Sequence, residues 1–242
     1  ALLARDYADF AQQCLDMGYP AYKIHGFKEG DPDEEIAILT AVAKQVGGKM
    51  QIMYDSGCNI STFAGALKIG RVLDELGYLW YEDPYADGGV SIHGNRTLRK
   101  LIKTPIMITE HVKSPEQNAD VMIQGATDFG RTAPDYDCGL TGCMKVARTA
   151  EGLGLDCEVH SCGPAMRHMM AALRNSNYYE MNLVHPKLPN AWELPVYQGY
   201  DDDLNSIDKN GNVTVPDGPG LGVGYDWAAI RKNTLASVVV GV

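Results

Sequence analysis

Three short apolar runs in this chain close on acids. "MQIMYD" ends in Asp55, "YLWYEDP" carries Glu82 followed by Asp83, and "PIMIT" leads directly into Glu110 and His111. Runs of this length and composition read as buried strands. Carboxylates gathered within a few ångströms repel one another and raise each other's pKa. A hard divalent cation resolves that repulsion. All-oxygen ligation suits Mg2+, with positions left open for substrate oxygens. Asp55, Glu82 and Glu110 are therefore the expected metal ligands. Adjacent strand residues point to opposite faces, so Glu110 and His111 cannot share one role. His111 is expected either to reach a substrate or to hydrogen-bond a metal carboxylate.

Basic groups flank this triad. "AYKIHGF" offers Lys23 and His25, two apart and so on one face of a strand. "LDCEVH" ends in His160, followed by a Ser-Cys-Gly-Pro turn. "ATDFGRT" ends near Arg131, with Asp135 and Asp137 just beyond, and "NYYEMN" carries Glu180. An amine and an imidazole beside a metal-held carboxylate are the groups that acid–base chemistry needs. His93, His168 and His185 lack such placement and read as packing or surface residues.

The elements that must position these groups alternate strictly. Seven strand-like runs, from "AYKIHGF" to "NYYEMN", are each separated from the next by a helix-sized segment. A leading helix spans Arg5 to Met17. Asp31 to Asp33 caps "EEIAILTAVAKQVG", whose Ile36, Leu39, Val42, Ala43 and Val46 follow helical spacing. Gly77 ends "ISTFAGALKIGRVLDELG" as a C-cap, and Pro115 opens "SPEQNADVMIQG" in its first turn. A weaker helix precedes Lys103. Alternation of this kind means parallel strands with helices outside. The expected fold is α/β, a modified (β/α)8-type (TIM-like) barrel lacking its first strand. Its chemistry belongs at the C-terminal strand ends. A doubly wound open sheet is disfavoured, because no Gly-rich phosphate loop follows any strand. Past about Pro189 the pattern stops. Residues 1–190 are expected to form the barrel. Residues 191–242 form a tail of ordered loop and turns on the barrel or capping region.

Bulk properties narrow the partners. The 242 residues are 45% hydrophobic and carry a net charge of -10, with a pI of about 5.0. Such a surface repels phosphate backbones and anionic lipid, so neither nucleic acid nor a membrane is the expected partner. No apolar run is long enough to span a bilayer, and no signal-like segment opens the chain. The six cysteines form no C-x-x-C pair and read as free thiols in a reducing cytoplasm. Three Asn-x-Ser/Thr triplets, at Asn59, Asn95 and Asn212, are the kind that arise by chance.

The order Lys-x-His, then Asp, Glu and Glu on three successive strands, then His on the next strand but one, then Glu, resembles the enolase superfamily. Within it the chain is similar to the mandelate racemase branch. "YLWYEDP" resembles that branch's strand with the second metal carboxylate, and "CGLTGCMKVARTAEGLGL" its Gly-Gly-x-Thr-Gly segment and following helix. "VPDGPGLGV" is similar to the closing segment of many members. The resemblance implies Mg2+ on Asp55, Glu82 and Glu110, chelating a substrate carboxylate and stabilising an enediolate. It implies acid–base work at His160 and, at Glu180, a protonated carboxyl that donates a hydrogen bond to substrate. Lys23 and His25 would supply the opposite-face base or orient the carboxylate. Arg131, Asp83 and Asp135 would touch substrate or brace the site.

Two departures stand out. His25 replaces the usual second lysine, and Ala133 stands where the branch places the Asp partner of its histidine. Asp135 or Asp137 could replace that partner only if the strand end is remodelled. The altered dyad favours dehydration of a sugar acid to a 2-keto-3-deoxy acid over racemisation. A racemase or epimerase of a 2-hydroxy acid is the alternative, and a non-catalytic sugar-acid-binding barrel is a third. The resemblance also implies an N-terminal capping domain outside this chain, which is expected to be part of a longer protein, and a homo-oligomer.

Overall fold

A computed structural model describes residues 2–26, 30–182, 185–188 and 196–238. Several of its helices begin where local sequence supplies a capping oxygen. In α2 (Pro32–Val46) the Asp31 carboxylate accepts the Asp33 N–H. In α3 (Phe63–Leu76) Thr62 accepts the Gly65 N–H, and Gly77 ends the helix in the left-handed conformation, φ 72°. Ser91 caps α4 (Ile92–Arg99), and Ser114 caps α5 (Pro115–Ile123), where Pro115 fills the first turn. These caps satisfy N–H groups that no helical carbonyl can reach. The remaining barrel helices are α1 (Ala4–Met17), α6 (Gly139–Gly152) and α7 (Pro164–Ala171).

Between them run β1 (Ala21–His25), β2 (Gln51–Asp55), β3 (Tyr81–Glu82), β4 (Ile106–Met107), β5 (Phe129–Thr132) and β6 (Asp156–Val159). All six pair in parallel, in chain order. The result is an α/β fold with one curled parallel sheet, part of a barrel. Ile24, Ile52, Tyr54, Tyr81, Ile106 and Ile108 face outward into a core shared with α1 to α3. Val159 and Cys157 do the same against α6 and α7. On the concave side Met53, Trp80 and Met107 form a small apolar floor, with Phe129 and Tyr178 packed against it.

The expected seventh strand does not form. "NYYEMN" forms no strand, and the reason lies in β6. The buried Glu158 carboxylate accepts the backbone N–H groups of Asn177, at 3.1 Å and 3.3 Å, and Tyr178, at 3.2 Å. Donors that a parallel ladder would need are taken by a side chain. The segment still runs beside β6, anchored by the Cys157 N–H donating to the Asn175 carbonyl.

The tail forms a short antiparallel pair, β7 (Tyr197–Gln198) with β8 (Gly224–Tyr225), and a final helix, α8 (Trp227–Asn233). Arg167 of α7 ties it down by donating to the carbonyls of Thr214 and Asp201 and to the Asp202 carboxylate. The expected boundary at residue 190 lies outside the described residues. Among them no helix is long and apolar enough to cross a membrane, and all six cysteines are free.

Candidate active site

Register explains two of the three acids. Asp55 and Glu82 are the last residues of β2 and β3, and they pair directly, with His25 paired to Asp55 on the other side. Their side chains therefore leave the sheet at one level and on one face. Glu110 needs a different device. Glu82 pairs with Met107, so a straight β4 would carry Glu110 roughly 10 Å beyond that level. Thr109 breaks the strand with φ 107°, a region that β-branched residues rarely enter. Its hydroxyl is held at both ends, donating to the Arg131 carbonyl (2.7 Å) and accepting the Arg131 N–H (2.8 Å). The chain folds back, and carboxylate oxygens of Asp55, Glu82 and Glu110 come within 4.8 Å of one another.

Two cations sit among these acids. Lys23 Nζ lies 3.3 Å from Asp55, 2.9 Å from Glu82 and 2.7 Å from Glu180. Arg131, 1% exposed, places Nε 2.8 Å from Glu82 Oε1 and Nη2 2.5 Å from Glu180 Oε2. If all four carboxylates were ionised, the two cations would leave two negative charges uncompensated. The field splits the acids. Burial pushes Glu82 well above the carboxylate range despite Arg131, and raises Glu110 too. Against the same burial penalty, Arg131 and Lys23 hold Glu180 well below that range, while Lys23 and His25 hold Asp55 below it. Burial and Arg131 work against the Lys23 ammonium, but Glu180, Glu82 and Asp55 outweigh them and keep it charged.

A divalent cation fits this donor set. It would cancel the two excess charges and find three hard oxygen ligands. Glu82 Oε1, on a fully buried side chain, meets Arg131 Nε at 2.8 Å without an aligned hydrogen bond, so its lone pairs are not fully used. Asp55, Glu82 and Glu110 are the residues that would hold Mg2+.

His160 follows β6 directly, on the far side of the triad from Lys23. Its Nε2 is 3.2 Å from Glu110 Oε1, and its ring stacks on Tyr136, with centroids 6.0 Å apart and planes 19° apart. Lys113 Nζ lies 3.4 Å from the Tyr136 ring centroid. Burial, with Arg131 adding to it, holds the imidazole down to about 3, so the ring is neutral. Neither aspartate considered as its partner stands beside it. Asp135 is exposed. Asp137 turns inward to accept from the Thr132 hydroxyl (2.7 Å), the Ala133 N–H (3.2 Å) and the Asn118 amide (3.0 Å), which braces the loop.

Glu180 reaches the site although its strand is absent. It accepts the Ser161 N–H at 3.1 Å, and its ionised state does not match the protonated donor expected from sequence. His111 pairs with Asp83, Nε2 to Oδ2 3.1 Å, and not with a triad carboxylate. His25 Nε2 is 3.8 Å from Asp55, and His25 Nδ1 lies 3.1 Å from the Gly26 carbonyl. Sequence reasoning passed over Tyr136, Lys113 and Glu158. Glu158 was within reach, since it lies two residues before His160 and so on the same face. Tyr136 stands between two aspartates that were considered, and nothing local marks it. The groups border a cavity of about 650 Å³ with Lys23, Asp55, Glu110, His160 and Glu180 on its wall.

A curled parallel sheet with a carboxylate triad at its strand ends, flanked by an amine and an imidazole, is an arrangement that can hold a divalent cation beside acid–base groups. The family model described as enolase C-terminal domain-like matches residues 6–229, and the chain belongs to that family. It is 28% identical over 214 residues to an arabinonate dehydratase of Saccharolobus solfataricus, covering 86% of this chain and 53% of that protein. It is 26% identical over 238 residues to an N-succinylamino acid racemase of an Amycolatopsis species, covering 94% and 58%. A D-glucarate dehydratase from Agrobacterium tumefaciens, solved in complex with magnesium, superposes with a TM-score of 0.82 at 28% identity, over 96% of this chain and 60% of that one. The chain thus spans little more than half the length of these relatives.

Proposed function

We propose that this chain carries the catalytic part of a Mg2+-dependent lyase that dehydrates a sugar acid to a 2-keto-3-deoxy acid. In this reading its sheet belongs to an eight-fold barrel, and residues 1–190 form the barrel part. The observation that carries the proposal is an amine and an imidazole set against one carboxylate triad, Lys23 Nζ 2.9 Å from Glu82 and His160 Nε2 3.2 Å from Glu110. His160 is held neutral and Lys23 is held charged. Environments that push two groups apart in this way assign one as base and the other as acid. Racemisation asks for two bases of matched strength on opposite faces of one carbon. Dehydration asks for one base and one acid.

The bound cation would supply Lewis-acid stabilisation of the charge that develops on the substrate carboxylate. His160 takes the proton alpha to that carboxylate. The Glu110 carboxyl, 3.2 Å away, orients the ring. The Lys23 ammonium gives a proton to the departing beta hydroxyl. Water leaves, and the resulting enol ketonises to the 2-keto acid. Arg131 keeps Glu82 and Glu180 in place by ion pairing, and Glu180 in turn holds Lys23. Lys23 as a charged group does not suit the base role that the family resemblance suggested.

The second reading is a racemase or epimerase, favoured by the similarity to the racemase named above. The test is a panel of pentonates, hexonates and aldarates offered to the full-length protein with Mg2+. Dehydration predicts 2-keto acid release. Deuterium exchange at the alpha carbon without keto acid would favour the racemase, and ligand-induced stabilisation with no turnover would favour a binding protein. With the true substrate, His160→Asn should lower turnover by roughly 10²–10⁴-fold.

A further inference from the structure

The turns that deliver Asp55, Glu82 and Glu110 also deliver three other side chains to a second point. Cys58 lies three residues past Asp55, Asp83 follows Glu82, and His111 follows Glu110. One ligand atom from each lies within 4.8 Å of the other two. The donors are a thiol, a carboxylate and an imidazole, a mixed set unlike the all-oxygen triad. Asp83 is 1% exposed, and neither of its carboxylate oxygens has an aligned hydrogen bond. The His111 imidazole approaches Oδ2 to 3.1 Å. That contact raises the imidazole to about 9 and compensates Oδ2, so Oδ1 is the buried oxygen left without a partner.

The local backbone favours the arrangement. Cys58 and Asp83 both adopt positive φ, 59° and 42°, and the Cys58 N–H donates to the Asp83 carbonyl at 3.1 Å. Gly89, at φ 69°, closes over the pair. A Cβ there would stand 2.8 Å from His111 Cδ2 and 3.1 Å from Asp83 Oδ1, so only glycine leaves room for both side chains.

We propose that Cys58, Asp83 and His111 form a second metal site, for a borderline-soft divalent cation such as Zn2+. Sulfur and imidazole ligands select such ions, while Mg2+ prefers oxygen. Three protein ligands leave one tetrahedral position for water. Ligand atoms around such an ion sit about 3.3–3.8 Å apart, so the His111–Asp83 pair, at 3.1 Å, opens slightly while the thiol closes in. Cys58 and His111 are both partly exposed and have space to rotate inward. Binding displaces protons from the thiol and the imidazole. Because Asp83 and His111 are the chain neighbours of Glu82 and Glu110, the ion would brace two of the turns that carry the triad. The site depends on neither the sugar-acid reading nor catalysis.

Co2+ is the probe, added to the full-length protein with thiols reduced and Mg2+ in large excess. The expected result is a thiolate-to-cobalt charge-transfer absorption that saturates near one Co2+ per chain. It should vanish in Cys58→Ser and in Cys58→Ala, and His111→Asn should weaken Co2+ binding roughly tenfold or more. Absence of the band in the wild-type protein overturns the proposal without recourse to any variant. A band that survives both Cys58 substitutions places the metal on another cysteine and overturns it as well. So does Co2+ that binds without the band and is displaced by Mg2+, since the metal would then occupy the all-oxygen triad.

Discussion

Replacing Arg131 by Met tests the charge balance on which the site rests. The substitution keeps an unbranched side chain in a position that is 1% exposed and removes the cation, together with its hydrogen bond to the Val159 carbonyl (3.2 Å). At an effective dielectric of about 20, a charge pair about 2.7 Å apart has a gross attraction of about 6 kcal/mol. Arg131 makes two such contacts, with Glu82 and Glu180. Most of that gross energy is offset by the desolvation of a buried guanidinium, and removing one partner of a buried pair leaves a net loss of about 3–5 kcal/mol. For a protein of this size each kcal/mol shifts the melting temperature by about 2–4 °C, so a fall of about 6–20 °C is expected. The assay is thermal and urea unfolding of the full-length protein, with and without Mg2+. The loss should shrink with Mg2+, because the ion replaces the missing positive charge. Arg131→Met combined with Glu180→Gln should recover about 1–2 kcal/mol through coupling. A loss below about 1 kcal/mol, or no recovery in the double variant, would refute the view that Arg131 acts as the counter-ion of these acids.

Glu82→Gln should weaken Mg2+ binding by roughly 100-fold or more, above the effect of an outer-sphere substitution; calorimetric titration that found unchanged affinity would remove Glu82 from the metal site. Gly142→Ala should destabilise the protein by about 1–3 kcal/mol, since the new Cβ would lie 1.5 Å from the Asp137 carbonyl oxygen, and thermal melting measures it. The Lys187 ammonium and the Leu3 N–H hold Asp6 down to about 2, from 3.8. A depressed acid stabilises above its unfolded pKa, so this contribution is present above about pH 4 and fades toward pH 2. Melting curves of Lys187→Met should therefore show a shallower dependence on pH across that window, and an unchanged slope would contradict the assignment.

Much of the fold was legible because its signals are local. Asp31, Thr62, Ser91 and Ser114 cap helices through oxygens two or three residues from the N–H groups they satisfy. Gly77 ends α3 by its own backbone freedom. The triad was legible for a related reason, since each acid closes an apolar run and parallel strands present their ends on one side. The seventh strand misled because its composition suits a strand, whereas its N–H donors are claimed by Glu158, some twenty residues earlier.

The sequence by itself determined which carboxylates could meet, because alternation and strand ends constrain direction at short range. Only the tertiary structure decided their charge states and partners. Arg131 became a buried counter-ion, Glu180 an ionised anchor for Lys23, and Glu110 with Tyr136 the neighbours of His160. Each of these contacts joins residues 24 to 157 positions apart, and the pKa of each group follows from burial that no local pattern records. Glu110 and His111, adjacent in the chain, end on different partners because the turn at Thr109 sends one back to the triad, while the other meets an aspartate from β3's end.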